Sequence, residues 1–225
     1  MNHMKIKVIL TGATGMVGEG VLLTCLECPD VEEVLIINRR HADISHPRLK
    51  EIILKDFFNP EGLESQLGGY DACFFCAGVS SIGMSQDEYM RVTRDLTLNF
   101  ARFLRKLNPD ITFCYVSGAG TDSSEKGKLA WARIKGETEN LLLKIFKDAY
   151  MFRPAFMKAR EGQKYLPSFY KYLSWIYPIG KVVYPSGFCT LLQVGKAMIH
   201  SVTRKYPKKI LEVKDIILLA KDESV

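Results

Sequence analysis

The eight residues Thr11-Gly12-Ala13-Thr14-Gly15-Met16-Val17-Gly18 constrain this chain more than any other segment. They lie between Lys5–Leu10, an apolar and β-branched run that reads as a strand, and Gly15–Glu27, which carries a helical pattern. In that setting the three glycines have separate tasks. Gly12 permits a tight turn, Gly15 lets backbone N–H groups approach a pyrophosphate, and Gly18 lets helix and strand pack closely. The helix N-terminus adds a potential that favours an anion. Thr14, Met16 and Val17 complete the expected phosphate-binding segment.

Downstream, strands and helices alternate. Further strands are expected at Glu33–Asn38, Glu51–Lys55, Asp71–Cys76, Ile111–Ser117, Ala149–Arg153 and Lys209–Val213. Helices are expected at Asn59–Leu67, with Asn59 as N-cap and Pro60 at the first helical position, and at Ser85–Asn108, where Ser85 and Glu88 form a capping box. Tyr89, Val92, Leu96, Phe100, Phe103, Leu104 and Leu107 mark one face of the latter. Leu129–Phe146, Thr190–Arg204 and Lys214–Ala220 complete the helices. Strands apolar on both faces, interleaved with helices, predict an α/β fold: a doubly wound, Rossmann-like parallel sheet with helices on both faces. After Pro154 the rhythm changes, and Tyr165, Phe169, Tyr170, Tyr172, Trp175, Tyr177 and Tyr184 crowd together with three prolines. Residues 158–189 therefore read as a small substrate-side cap within a single domain spanning 1–225.

The excess of 31 basic over 25 acidic residues gives a net charge of +6, which suits an anionic ligand. The basic residues are scattered, with no long tract interleaved with aromatics, so no nucleic-acid partner is expected. No apolar run approaches the ~18 residues of a membrane span. The opening Met1-Asn2-His3-Met4-Lys5 has no signal-peptide pattern, and the six cysteines suit a reducing compartment, so a cytoplasmic location is expected. Cys73 and Cys76 sit three apart on a strand and face opposite ways, Cys25 and Cys28 end a helix, and His3, His41, His46 and His200 lack ligand spacing. No metal site is expected.

At the end of the second strand the chain reads Asn38-Arg39-Arg40. A carboxylate there would accept from a ribose 2′-hydroxyl, whereas a guanidinium pairs with a 2′-phosphate, so NADP(H) is favoured over NAD(H). After the third strand, Asp56 is placed to accept from an adenine amino group and Phe57 to pack beside it, the alternative being an exposed loop carboxylate. Ala77-Gly78 opens a small-residue loop at the carboxyl edge of the sheet, where ligands of such sheets bind.

These features resemble the short-chain dehydrogenase/reductase superfamily, in its atypical or extended branch, through GATGMVG at 12–18 and Ser117 followed by Lys135. More narrowly the chain is similar to the NAD(P)-binding oxidoreductases related to the HIV Tat-interacting protein and to NAD-dependent epimerase-like proteins. INRR at 37–40, CFFCAG at 73–78, EYMRVTRD at 88–95, KGETE at 135–139, FRPAFM at 152–157 and VGKAMIHSV at 194–202 carry that likeness. The resemblance implies hydride transfer to or from a small carbonyl or alcohol, with Ser117 polarising the reacting oxygen and Lys135 binding the nicotinamide ribose. The family's acid is a tyrosine four residues before the lysine, and here that residue is Trp131. An indole N–H donates a hydrogen bond but has no accessible acid ionisation. Two further readings follow: an NADP(H)-binding sensor or regulatory protein with little turnover, and a nucleotide-sugar epimerase or dehydratase. The last normally needs the tyrosine and a larger C-terminal region than the roughly 70 residues after Pro154. Asp122, Ser123, Ser124 and Glu125 are other loop groups within reach of the same region, and the two long helices could pair across a two-fold axis into a homodimer.

Overall fold

The computed structural model describes residues 5–168, 170 and 176–221. Nine strands are present in chain order among them: β1 (Ile6–Thr11), β2 (Val31–Asn38), β3 (Leu49–Ile53), β4 (Ala72–Phe75), β5 (Thr112–Val116), β6 (Ala149–Arg153), β7 (Phe156–Lys158), β8 (Phe188–Thr190) and β9 (Ile210–Glu212). Seven of them form one sheet in the order β3-β2-β1-β4-β5-β6-β9, with every pairing parallel. The order reverses between β1 and β4, which opens a crevice above their carboxyl ends. This is the expected doubly wound, Rossmann-like sheet.

Alternation along each strand divides the core in two. Ile6, Val8, Leu10, Ala72 and Phe74 pack on the face covered by α1 (Met16–Glu27), α7 (Leu191–Thr203) and α8 (Val213–Leu219). Ile9, Cys73, Phe75, Phe113 and Met151 pack on the opposite face, against α2 (Glu64–Leu67), α4 (Leu96–Leu107) and α5 (Ala130–Ile145). Cys73 and Cys76 fall on opposite faces, as strand periodicity requires. Burial pushes the thiols of Cys114 and Cys189 up to about 12, which leaves them inert. Among the described residues, no group of three or more His, Cys, Asp or Glu is placed to hold a metal ion, and no helix is long and apolar enough to cross a membrane.

Two helices differ from expectation. The segment 59–67 is helical only over Glu64–Leu67, because Asp56 accepts from Phe58 N at 2.9 Å and from Asn59 Nδ2 at 2.6 Å, so Asn59 closes a turn instead of capping a helix. Within 85–108 the capping box of Ser85 and Glu88 is present, but α3 (Gln86–Met90) passes into a π turn at Arg91–Asp95 before α4. The extra residue rotates the buried face. Thr93 and Thr97 are buried, with Thr97 donating to the Thr93 carbonyl at 2.6 Å, while Val92 and Leu96 are only half-buried.

The segment after Pro154 is more ordered than an aromatic cap alone. β7 and β8 pair as a separate parallel ribbon, and α6 (Ile176–Val183) lies between them in the chain. Phe156, Tyr177 and Phe188 pack together there, with ring centroids 5.2 to 6.3 Å apart. Phe169, Tyr172 and Trp175 lie outside the described residues.

Candidate functional site

The glycine turn closes on itself and on both neighbouring strands. Gly15 N donates to the Gly12 carbonyl at 3.0 Å, Ala13 N to Asn38 Oδ1 at 3.1 Å, and Ala77 N to Thr11 Oγ1 at 3.2 Å. Gly12 has φ +77°, and a Cβ there would lie 2.7 Å from Ala77 N. A Cβ on Gly18 would lie 2.1 Å from the Gly12 carbonyl oxygen, so α1 sits on the turn at a distance only glycine permits. Gly15 is exposed and caps α1 without a side-chain hydrogen bond, so the first-turn amides carry no side-chain acceptor. Val17 is turned against the core, which leaves its backbone as what it can offer a ligand.

Beside the turn lies a cleft of about 560 Å³ lined by Gly12, Thr14, Gly15, Arg39, Arg40, Phe57, Ala77 and Gly78, together with Ile37, Asn38 and Cys76. Both arginines are exposed at its rim, and Phe57 is buried in its wall. Asp56 differs from its expected role: it is not among the lining residues, and both carboxylate oxygens serve the local turn.

Asn38 and Glu51 hold this rim, a role that sequence reading did not assign. Buried Asn38 accepts from the turn and donates through Nδ2 to Glu51 Oε1 at 3.2 Å, and Glu51 also accepts from Ala42 N at 2.9 Å and meets His41 Nδ1 at 2.8 Å. Burial pushes the Glu51 carboxyl up, but the Ala42 amide, His41 and Asn38 outweigh it and hold the group below its ordinary range. Thus a carboxylate does stand near the end of β2, supplied by β3 and engaged by the Arg39–Ala42 loop.

The second group of expected residues gathers at the carboxyl end of β5. Lys135, on α5, donates from Nζ to the Ser117 carbonyl at 2.5 Å and lies 6.0 Å from the Trp131 ring centroid. Burial lowers the Lys135 pKa, opposed by the charge of Glu139. The Trp131 indole lies over the β5–α5 loop, where a Cβ on Gly120 would meet it at 3.1 Å.

Ser117 is placed otherwise than its expected role requires. Its side chain is buried and donates to Glu139 Oε1 at 2.5 Å, so the group it turns toward Lys135 is its carbonyl. Glu139 is itself fully buried and doubly held by Arg153, through Nε at 3.0 Å and through Nη2, while Arg153 Nη1 reaches Glu212 at 3.2 Å. The loop alternatives are equally occupied. The Ser124 hydroxyl and the Gly127 amide hold Asp122 below the usual carboxylate range, Ser123 contacts Arg153 and Glu139, and Glu125 accepts from Asn140 at 2.6 Å. Neither Ser117 nor Lys135 lines the cleft beside the glycine turn.

A parallel sheet with its crevice at the strand-order reversal, floored by a glycine turn and a bare helix N-terminus, defines a fold of the Rossmann type. The chain belongs to the NAD dependent epimerase/dehydratase family, whose family model matches residues 8–129. It is 27% identical over 157 residues to the protein named fmp52-2, mitochondrial, of Neosartorya fischeri, covering 68% of this chain and 67% of that protein. Among solved structures it is similar to a UDP-N-acetylglucosamine 4-epimerase from Methanobrevibacter ruminantium M1, at TM-score 0.65 and 16% identity over 95% of this chain and 80% of the other. It is also similar to a dTDP-glucose 4,6-dehydratase from Bacillus anthracis solved in complex with NAD, at TM-score 0.66 and 12% identity over 97% and 82%. At these identities the likeness to solved structures shows the fold.

Proposed function

We propose that this chain binds NADP(H) in preference to NAD(H) and acts as an atypical short-chain dehydrogenase/reductase on a small carbonyl or alcohol. The observation that carries this reading is the cleft whose floor is glycine backbone and whose rim is two exposed arginines. The first-turn amides of α1 would hold the pyrophosphate, Arg39 and Arg40 the 2′-phosphate, and Phe57 the adenine side. Ala77 and Gly78 leave the crevice open beyond the turn. Lys135 commits one ammonium proton to the Ser117 carbonyl and keeps others for ribose hydroxyls. The cofactor, when bound, supplies or accepts the hydride. The Trp131 indole N–H does not ionise and so relays no proton, and the reacting oxygen exchanges its proton with water.

Trp131 together with the occupied Ser117 hydroxyl favours a second reading, a cofactor-binding sensor with little turnover. Calorimetric titration with NADPH and NADH in parallel, repeated on Arg39→Ala/Arg40→Ala, tests the shared premise. NADPH is expected to bind more tightly and to lose about tenfold in the double variant with NADH unchanged; binding of neither cofactor overturns both readings. Trp131→Tyr then separates them, because carbonyl reduction that appears only in the variant selects the sensor.

The same reading treats 158–189 as the substrate-side cap of a single domain, and α4 with α5 as the faces of a homodimer, which sedimentation at micromolar concentration tests. A cytoplasmic location is retained with it; imaging of a tagged chain against a mitochondrial marker tests that against the location in the Neosartorya relative's name.

A further inference from the structure

Within the 158–189 segment, residues 160–165 run along α1 to the loop that carries the two arginines. Arg160 donates to Thr24 Oγ1 at 2.9 Å and to Glu27 at 2.6 Å, and Gln163 Nε2 donates to the Met16 carbonyl at 2.8 Å. Glu19, in the first turn of α1, is 1% exposed and accepts the backbone amides of Lys164 at 2.7 Å and Tyr165 at 2.8 Å. A buried carboxylate satisfied by two amides fixes these residues in place. Their side chains then meet the β2–β3 loop. The Tyr165 hydroxyl accepts from Asp43 N at 3.1 Å, Lys164 Nζ reaches the Asp43 carbonyl at 3.0 Å and its carboxylate at 2.8 Å, and the Arg40 guanidinium lies 6.0 Å from the Tyr165 ring centroid.

We infer that Tyr165 is a positioning residue for cofactor selection: held by Glu19, it fixes Arg40 and the Arg39–Asp43 loop in the shape that takes a 2′-phosphate. The inference rests on the NADP(H) reading above and adds to it a residue some 120 positions away from the arginines, in the substrate-side segment. A guanidinium free to rotate loses conformational freedom when it grips a phosphate, whereas one seated against an aromatic face has lost part of it already. An NADH molecule carries no 2′-phosphate, so it gains nothing from this seating. The strap thereby ties the choice of cofactor to the region that faces substrate.

The test is parallel calorimetry with NADPH and NADH on the wild type, Tyr165→Leu, Tyr165→Phe, Asp43→Ala and Arg39→Ala/Arg40→Ala. Tyr165→Leu is expected to weaken NADPH by about fivefold and to leave NADH within about twofold, while Tyr165→Phe, which keeps the ring beside Arg40 and loses the bond from Asp43 N, falls between it and the wild type. Asp43→Ala separates positioning from simple charge and does not depend on Tyr165→Leu folding, since its side chain is 89% exposed. Removing a negative charge beside the phosphate should by electrostatics alone tighten NADPH, and the inference expects it to weaken by about threefold. Equal weakening of both cofactors in Tyr165→Leu, or tighter NADPH binding in Asp43→Ala, overturns the inference even where the arginine variant upholds the NADP(H) reading. A wild type without NADPH preference overturns that reading, and the inference falls with it.

Discussion

A methyl group at position 18 has nowhere to go. It would lie 2.1 Å from the Gly12 carbonyl, and that oxygen already accepts from Gly15 N. Gly18→Ala is therefore expected to push α1 off the turn, at a cost of about 1–3 kcal/mol, seen as a lower melting temperature and loss of NADPH binding. Retention of both would show that the helix can retreat without harm. At this scale the glycines of the turn and the exposed arginines at the end of β2 were legible as positions, because each is set by its own backbone or its own exposed charge. Ser117 was not. Its hydroxyl is decided by Glu139, 22 residues later on another element, and nothing local to the strand end reveals that a buried carboxylate waits there. The turn at Asp56 was not legible either, since an aspartate two residues before an available amide bonds locally whatever else it meets.

Between elements, Glu139 and Arg153 join α5 to β6, and Glu212 extends the pair to β9. Glu139→Gln leaves a buried guanidinium short of a charge and is expected to cost about 3–5 kcal/mol in denaturant unfolding. Glu139→Gln/Arg153→Met, which removes both charges, should recover part of that loss; no recovery would place the cost in packing alone. Helix and strand periods were readable from apolar spacing, and so were the opposite faces taken by Cys73 on β4 and Cys76 just after it. The π turn at Arg91–Asp95 was not, because one inserted residue preserves a plausible apolar stripe at Val92 and Leu96 while turning Thr93 and Thr97 inward. The Arg94 side chain it carries reaches Glu137 on α5 at 2.9 and 3.0 Å.

Over the whole molecule, ion pairs at the sheet margins are expected to set the acid limit of stability. Lys205, and after it Lys209, hold the Asp148 carboxyl below its ordinary value of 3.8 at the start of β6. At Glu33 burial acts upward, but Lys50 and the Tyr70 hydroxyl hold it low. A carboxylate depressed in the folded state contributes stability above its unfolded pKa and loses it as pH falls through the folded value. Melting temperature is therefore expected to be level from about pH 8 to 5 and to fall below about pH 4, with Asp148→Asn lowering the plateau and flattening the acid limb. An unchanged acid limb in that variant would move the effect to other carboxylates. Right-handed crossovers limit the strand order, but β4 is separated from β3 by two strands of the sheet, and β9 joins β6 only after β7 and β8 have intervened in the chain. The strap could not be anticipated, because its partners in α1 lie about 145 residues earlier and its residues carry no period.

That separation also orders events while the chain is being made. The glycine turn and its neighbours through Gly78 leave the ribosome long before Tyr165, yet Glu19 in the first turn of α1 is sealed by the amides of Lys164 and Tyr165. Until they emerge, a carboxylate meant for the interior has water as its partner, and the first turn of α1 stays wet. Vectorial synthesis thus makes the glycine turn and the start of α1 one of the first parts of this protein to be written and one of the last to be finished.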